Sequence, residues 1–290
     1  MPRVSYTAPT SVDDAVKALA GAAGQAKVLS GGTDLLVQLK SGRLKPELIV
    51  DTKRIPGMIG IREEGDNWVI GAATPGVVIS SNQQLEHDFP GIVEGVDLIG
   101  SQQIQGRCTI AGNLCNASPA ADSVPALIAA RATCVIAGPG GRREAPAEAI
   151  QAGPGRTTLK PGEFLLEFRL PPRPKRAGDA YLRLIPRTEM DIAVVGAGVS
   201  LALDESGKVR EAHVALGAVA PTTLLVPAAG QALVGSKLEE PALAALDAAA
   251  RAACKPISDK RGTAEYRTKI AGVLARRAAA IAYERAKARA

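Results

Sequence analysis

The 290-residue chain predicts an α+β fold, and three features of the sequence carry that reading. Beyond a proline-rich break at Pro171–Gly178, strand-like segments come first and alanine-rich helices last, an order that a doubly wound sheet does not have. Before the break, strand and helix patterns are mixed. The one segment that mimics a Rossmann fingerprint, Gly196-Ala197-Gly198-Val199-Ser200-Leu201, lacks the third small residue and continues as strand rather than helix. The break sets the expected domains at 1–172, with parts near 1–54 and 55–172, and at 178–290.

The elements follow in order. Thr10 or Ser11 can cap a helix in which Val12, Val16 and Leu19 share one face. Lys27–Ser30 reads as a short strand ending on Gly31-Gly32, helical spacing resumes over Thr33–Lys40, and Leu48–Asp51 is a second apolar strand. Further strands are expected at Met58–Arg62, Trp68–Ile70, Thr133–Ala137 and Phe164–Leu170, and helices at Val77–Leu85, Gly91–Gly100 and Asp122–Arg131. Gly138-Pro139-Gly140-Gly141 reads as a hairpin turn. After the break come strands Tyr181–Ile185, Ile192–Leu203 and Val209–Leu216, then helices over Pro241–Ala253 and from Thr263 to the terminus.

Composition narrows the chemistry. Four cysteines without a Cys-x-x-Cys pair argue against an iron–sulfur cluster or structural zinc within the chain, and against a disulfide framework. With only two histidines, His87 and His213, a His-rich metal centre is equally disfavoured, so a cofactor here is expected to be organic. No apolar run approaches the roughly 20 residues that span a bilayer, and the N-terminus lacks a secretory signal. A cytoplasmic address, the inner face of the membrane included, is the default. From Arg251 onward 11 basic residues face 3 acidic ones, a local +8 that leaves −2 for the rest of the total of +6. Without aromatics to stack on bases, that tail reads as a solvated helix face or one docked on an acidic partner rather than a nucleic-acid site.

Two glycine-rich loops carry the candidate chemistry. In Leu29-Ser30-Gly31-Gly32-Thr33-Asp34-Leu35 a strand enters a helix through two glycines, which let the backbone turn tightly and present successive N–H groups. The helix N-terminus would add to a phosphate site; taken alone, an ordinary strand-to-helix turn fits as well. The second stretch, Cys108–Asp122, is dense in small and hydrogen-bonding residues. A large polar ligand would satisfy it, as would simple loop packing.

Together these blocks resemble the FAD-binding medium subunits of molybdenum hydroxylases, the xanthine dehydrogenase and aerobic carbon monoxide dehydrogenase type, along essentially the whole chain. The most specific match is Thr109-Ile110-Ala111-Gly112-Asn113-Leu114-Cys115-Asn116-Ala117-Ser118-Pro119-Ala120-Ala121-Asp122. The first loop, Leu159–Glu163, Arg187–Ala193 and Ser258–Arg267 supply four more blocks in order. The resemblance implies a two-part FAD domain of the vanillyl-alcohol-oxidase-like type followed by a small α+β domain. It implies non-covalent FAD, with the backbone of Leu29, Ser30, Gly31, Gly32, Thr33, Asp34 and Leu35 on the pyrophosphate. Thr109, Ala111, Gly112, Asn113, Ser118 and Asp122 would belong to the cofactor site, with Asp122 on adenosine or ribitol hydroxyls. Ile99 would lie against the flavin ring, Leu165 or Leu166 nearby, and Arg183 where relatives often carry a basic residue.

The chain also departs from its relatives. Asp34 stands where some carry Glu or Ser, Ala111 replaces a common glycine and fits only with negative φ, and Ile99 offers no aromatic stacking. No cysteine-bearing insertion for an extra cluster is present. Arg187 and Asp191 are spaced for an ion pair, with Asp191 expected to fix the turn into a strand. Tyr266 and Arg267 are expected to pack the last helix, Trp68 to be a core or strand residue, and Cys115 to be a buried, unreactive thiol.

No catalytic acid, base, nucleophile or metal set emerges, which suits an electron relay. In the family's arrangement a large subunit holds the molybdenum–pterin centre and a small one two [2Fe–2S] clusters. FAD in the medium chain serves NAD, a quinone or dioxygen, within a dimer of heterotrimers. Two other readings stand beside it: a stand-alone FAD-dependent oxidase or reductase, and a basic non-enzymatic binding protein.

Overall fold

The computed structural model describes residues 4–187 and 190–289. Thr188 and Glu189, within the fourth matched block, and Met1–Arg3 lie outside them.

The chain opens with a three-stranded parallel sheet in the order Ser5–Thr7, Leu48–Asp51, Ala26–Leu29. Its central strand is the apolar one, with Ile49 and Val50 buried. Between its strands runs the helix Val12–Gly21, capped by Ser11, whose Oγ accepts from the Asp14 N–H at 3.1 Å. Ala15 and Leu19, one turn apart, bury its inner face.

An antiparallel sheet follows in the order Ile61–Glu64, Asn67–Gly71, Phe164–Leu170, Thr133–Gly138, Gly141–Pro146. The strand last in sequence sits in the middle. Phe164, Leu165, Leu166, Phe168 and Leu170 are all buried there, as both faces of a central strand require. Pairing with the neighbouring strand slips between Leu165 and Glu167, a bulge at Leu166. The Gly138–Gly141 hairpin closes as its glycines suggest.

The third sheet is an antiparallel meander of Ala177–Leu184, Val195–Leu203, Val209–Gly217 and Leu224–Leu225. The helices Glu240–Ala253 and Ala264–Ala288 pack with it in a second hydrophobic core. The long helix lies so close that a Cβ on Gly178 would stand 2.0 Å from the Ala282 carbonyl oxygen. Helix Ser123–Ala129, from the first half, also packs on this sheet, and a Cβ on Gly198 would stand 2.5 Å from the Pro125 carbonyl. The Gly196-Ala197-Gly198 run is therefore part of a strand, thinned at Gly198 for the helix and at Gly196 for the Tyr181 side chain, not a nucleotide loop.

Several boundaries differ from expectation. Met58 precedes its strand, which begins at Ile61. The Val77–Leu85 helix is two, Gly76–Ser80 and Gln83–Asp88, because the Asn82 side chain accepts from the Leu85 N–H at 2.8 Å and starts the second. The helix expected over Gly91–Gly100 is Pro90–Asp97. The strand expected from Ile192 begins at Val195, and Asp191 sits in the loop before it. There it accepts from Arg187, Arg261 and the Ile192 N–H, which together hold its carboxyl at about 2. Arg267 packs the last helix as expected, donating to the Val194 carbonyl at 2.7 Å, whereas Tyr266 is exposed. Trp68 is a buried strand residue whose Nε1 donates to Asp88 at 2.9 Å.

Candidate functional site

Both glycine-rich loops meet at one cavity of about 830 Å³, within the size range of sites for large organic ligands. Its walls come from the parallel sheet, from the loop at 154–164 and from the second loop.

The first loop folds tightly against the second. A Cβ on Gly31 would lie 2.2 Å from the Arg107 carbonyl oxygen, and Gly32 has φ +86°, so neither position accepts a side chain without strain. Among the described residues, the N–H groups of Gly31, Gly32, Thr33, Asp34 and Leu35 have no hydrogen-bond acceptor in the protein. Five consecutive donors at one cavity wall make a cradle for an anion. The helix after them, Leu35–Lys40, is only six residues long, so the loop donors rather than a helix dipole are the main attraction. Asp34 forms no side-chain hydrogen bond there, and desolvation raises its carboxyl above the usual range.

What reads as a loop in the second block contains a helix, Ile110–Cys115, capped by Thr109. Thr109 Oγ1 accepts from the Gly112 N–H at 2.9 Å and meets Ser30 Oγ at 3.0 Å. Ser30 gives its only hydroxyl proton to the Ala72 carbonyl at 2.9 Å, so Thr109 donates across the pair. A second tie, Gln38 to Asn116 at 3.1 Å, joins the same two segments. Asn113 accepts through Oδ1 from the Ser123 N–H and hydroxyl, which fixes the amide and leaves its NH₂ as a donor at the cavity wall. Ala111 lies within the helix and not among the positive-φ residues, so the methyl that replaces a family glycine is accommodated.

Ser30, Gly31, Gly32, Thr33, Asp34, Leu35, Ile99, Thr109, Ala111, Gly112, Asn113, Ser118 and Leu165 all line this cavity, and Leu29, Asp122, Leu166 and Arg183 do not. The bulge explains one of these. It makes Leu166 the extra residue of its strand and leaves Leu165 at the wall. Asp122 and Arg183 are turned toward each other, at 2.8 Å, and Tyr181 Oη donates to the same carboxylate at 3.1 Å. Burial outweighs Arg183 and pushes Asp122 up to about 6, while Tyr181 is driven far above its ordinary value by burial and by that carboxylate. Arg183 also donates to the Leu98 carbonyl at 2.7 Å, next to Ile99. Apolar wall comes from Met58, Ala72, Ile99, Phe164 and Leu165. Cys108 and Cys115 are protonated thiols, pushed by burial up to about 11 and about 12.

Sequence reasoning missed Met58, Ala72, Gln38 and the cavity face of Leu159–Phe164. The last of these had a signal. Gly162, in a matched block, takes φ +84° with Pro139 and Ala20 packed where a Cβ would go.

A fold of this organisation, with an anion cradle and an adjoining apolar wall at one cavity, defines a flavin-binding protein of the two-domain type. The comparisons agree in both halves: residues 2–173 match the FAD binding domain in molybdopterin dehydrogenase, and residues 180–282 the CO dehydrogenase flavoprotein C-terminal domain. The chain belongs to the family of FAD-binding medium subunits of molybdenum hydroxylases. It is 37% identical to the carbon monoxide dehydrogenase medium chain of Hydrogenophaga pseudoflava, over 98% of each chain. It is 31% identical to a putative xanthine dehydrogenase FAD-binding subunit of Escherichia coli, over 91% of this chain and 90% of that one. Among solved structures, reconstituted CO dehydrogenase from Oligotropha carboxidovorans superposes with a TM-score of 0.93 at 38% identity, covering 98% of each chain.

Proposed function

We propose that this chain is the flavoprotein subunit of a molybdenum hydroxylase, carrying reducing equivalents from the [2Fe–2S] clusters of a small subunit to an external acceptor. The observation that supports this best is the row of five free N–H groups at Gly31–Leu35, fixed beside the Thr109 helix in a cavity of about 830 Å³. The residues present fit FAD: donors without acceptors for a pyrophosphate, and apolar side chains for a flavin ring. Bound FAD supplies the exchange between one-electron and two-electron carriers.

The chain's own residues bind, orient and exclude water. The backbone of Gly31–Leu35 receives the pyrophosphate, and the Asn113 amide donates to the cofactor. Ile99 and Leu165 shield the ring, and Thr109 holds the two loops in register. Asp122 and Arg183 act from outside the cavity wall, where their pair bridges the Ser118–Asp122 turn to the Leu98 carbonyl. Substrate oxidation is assigned to a large molybdenum–pterin subunit, and the assembly to a dimer of heterotrimers in the cytoplasm. NAD, a quinone or dioxygen accepts the electrons. Among the described residues no helix is long and apolar enough to cross a membrane. The stand-alone flavoenzyme and the basic binding protein are not favoured by membership of this family.

The test is the visible spectrum of the purified chain, expressed with and without its genetic neighbours. A flavin spectrum released on denaturation, with co-purifying iron–sulfur and molybdenum subunits, is the expected result. A colourless chain that takes up no flavin beside those subunits would end this reading.

A further inference from the structure

The first loop is held from behind by a chain of polar groups that does not line the cavity. Lys53 Nζ donates to the Ser30 carbonyl at 3.0 Å and pairs with Asp51 Oδ1 at 2.8 Å. Asp51 also accepts from the Lys53 N–H at 3.0 Å and, through its other oxygen, from Tyr6 Oη at 2.8 Å. Each member is fixed by the next: both carboxylate oxygens of Asp51 are engaged, and its side chain is 10% exposed against 27% for Lys53. Burial acts to raise the Asp51 carboxyl, yet the bonds from Lys53 and Tyr6 bring it below the ordinary range, so Asp51 is a carboxylate at neutral pH.

The peptide bond turns this anchor into a directional device. In a trans peptide the C=O and the following N–H point in opposite directions. Lys53, which does not line the cavity, takes the Ser30 carbonyl, so the Gly31 N–H points the opposite way; Gly31 lines the cavity, and its N–H has no acceptor among the described residues. The ammonium also stands one peptide unit behind the cradle, where its positive charge favours an anion in front.

We propose that Lys53 is a positioning residue for the cofactor's pyrophosphate, aiming the Gly31 N–H through the Ser30 carbonyl and supporting the anion with its charge, with Asp51 and Tyr6 holding it in place. The inference rests on the assignment of FAD to this cavity. Three consequences separate it from a purely structural role. A neutral side chain of similar length loses both the donor and the charge, a neutral donor loses the charge alone, and arginine keeps both.

The experiment is a titration of the deflavinated full chain with FAD, followed by quenching of flavin fluorescence, for the wild type and the variants Lys53→Met, Lys53→Gln and Lys53→Arg. The melting temperature of each FAD-free protein is measured alongside. Lys53→Met is expected to weaken FAD binding by roughly tenfold to a hundredfold, the span of a lost charge-assisted hydrogen bond. Lys53→Gln should fall between, and Lys53→Arg should stay within about threefold of the wild type. The melting temperatures without FAD should agree, since Lys53 is partly exposed in a turn. The ³¹P resonances of bound FAD should move in Lys53→Met and return toward wild type in Lys53→Arg. Wild-type affinity and unshifted ³¹P resonances in Lys53→Met overturn the inference, as does a loss in Lys53→Arg equal to that in Lys53→Met. A wild-type chain that binds no FAD overturns the functional reading itself, which keeps the two failures distinct.

Discussion

Gly31 shows how much of this site depends on what one residue lacks. Its missing side chain lets the first loop rest on the Arg107 carbonyl, where a Cβ would stand at 2.2 Å from backbone that cannot swing aside. Gly31→Ala is therefore expected to displace the loop at a cost of about 1–3 kcal/mol. It should also weaken FAD binding at least tenfold on the same titration, since the five N–H groups no longer converge. Unchanged affinity would mean that the cradle tolerates the shift and that its donors are not what holds the cofactor. The residue type was legible in advance, because only a particular backbone need explains adjacent glycines at the end of a strand. The neighbours of Asp122 were not. Its block marks it as polar and near the site, but Tyr181 and Arg183, which it faces, are about sixty positions away in sequence.

Among the elements, the six-residue helix Ile110–Cys115 is the one whose absence from the sequence reading is most instructive. It is too short to show a period, and its composition, Ile-Ala-Gly-Asn-Leu-Cys, favours no single state. Thr109 decides it, by capping the Gly112 N–H while tying the helix to Ser30. Thr109→Ala removes both bonds. The cap alone is worth about 1 kcal/mol, and the variant should melt lower by that amount in denaturant titrations and bind FAD more weakly as well. Thr109→Ser keeps the hydroxyl and should restore both. If Thr109→Ala loses stability but keeps its affinity for FAD, the tie to Ser30 is not what sets the loops. The split of Val77–Leu85 has a similar origin, a single Asn82 cap that outweighs an apolar pattern running across it. Long elements such as Ala264–Ala288 were readable because their spacing repeats over many turns.

At the scale of the whole molecule, the last helix binds the two halves together. In the first half Arg285 pairs with Glu94 and Arg289 donates to the Asp88 carbonyl at 3.4 Å, while in the third sheet the same two side chains reach the Asp179 and Ala177 carbonyls at 2.8 and 2.9 Å. These bonds use part of the basic tail, whose charge on sequence grounds suited a solvated face or a docked one. Gly178 lets the helix lie that close, so Gly178→Ala should force the helix away from the sheet and cost about 1–3 kcal/mol or more. A lowered melting temperature with a normal flavin spectrum is the expected outcome, because Gly178 packs on the last helix and does not line the cavity. A variant as stable as the wild type would show that the helix can shift without loss.

The sequence by itself determined the class of fold, the family and the two loops, because each rests on residue types that a local backbone or a local motif demands. The proline-rich segment Pro171–Gly178 runs directly into a strand that begins at Ala177. The tertiary structure decided which side chains reach the cavity. The bulge that separates Leu165 from Leu166, the pairing that turns Asp122 toward Arg183, and the placement of Lys53 behind the Ser30 carbonyl all depend on strand register and on contacts distant in sequence. A one-dimensional pattern carries the period of an element, but not the partner against which it is set.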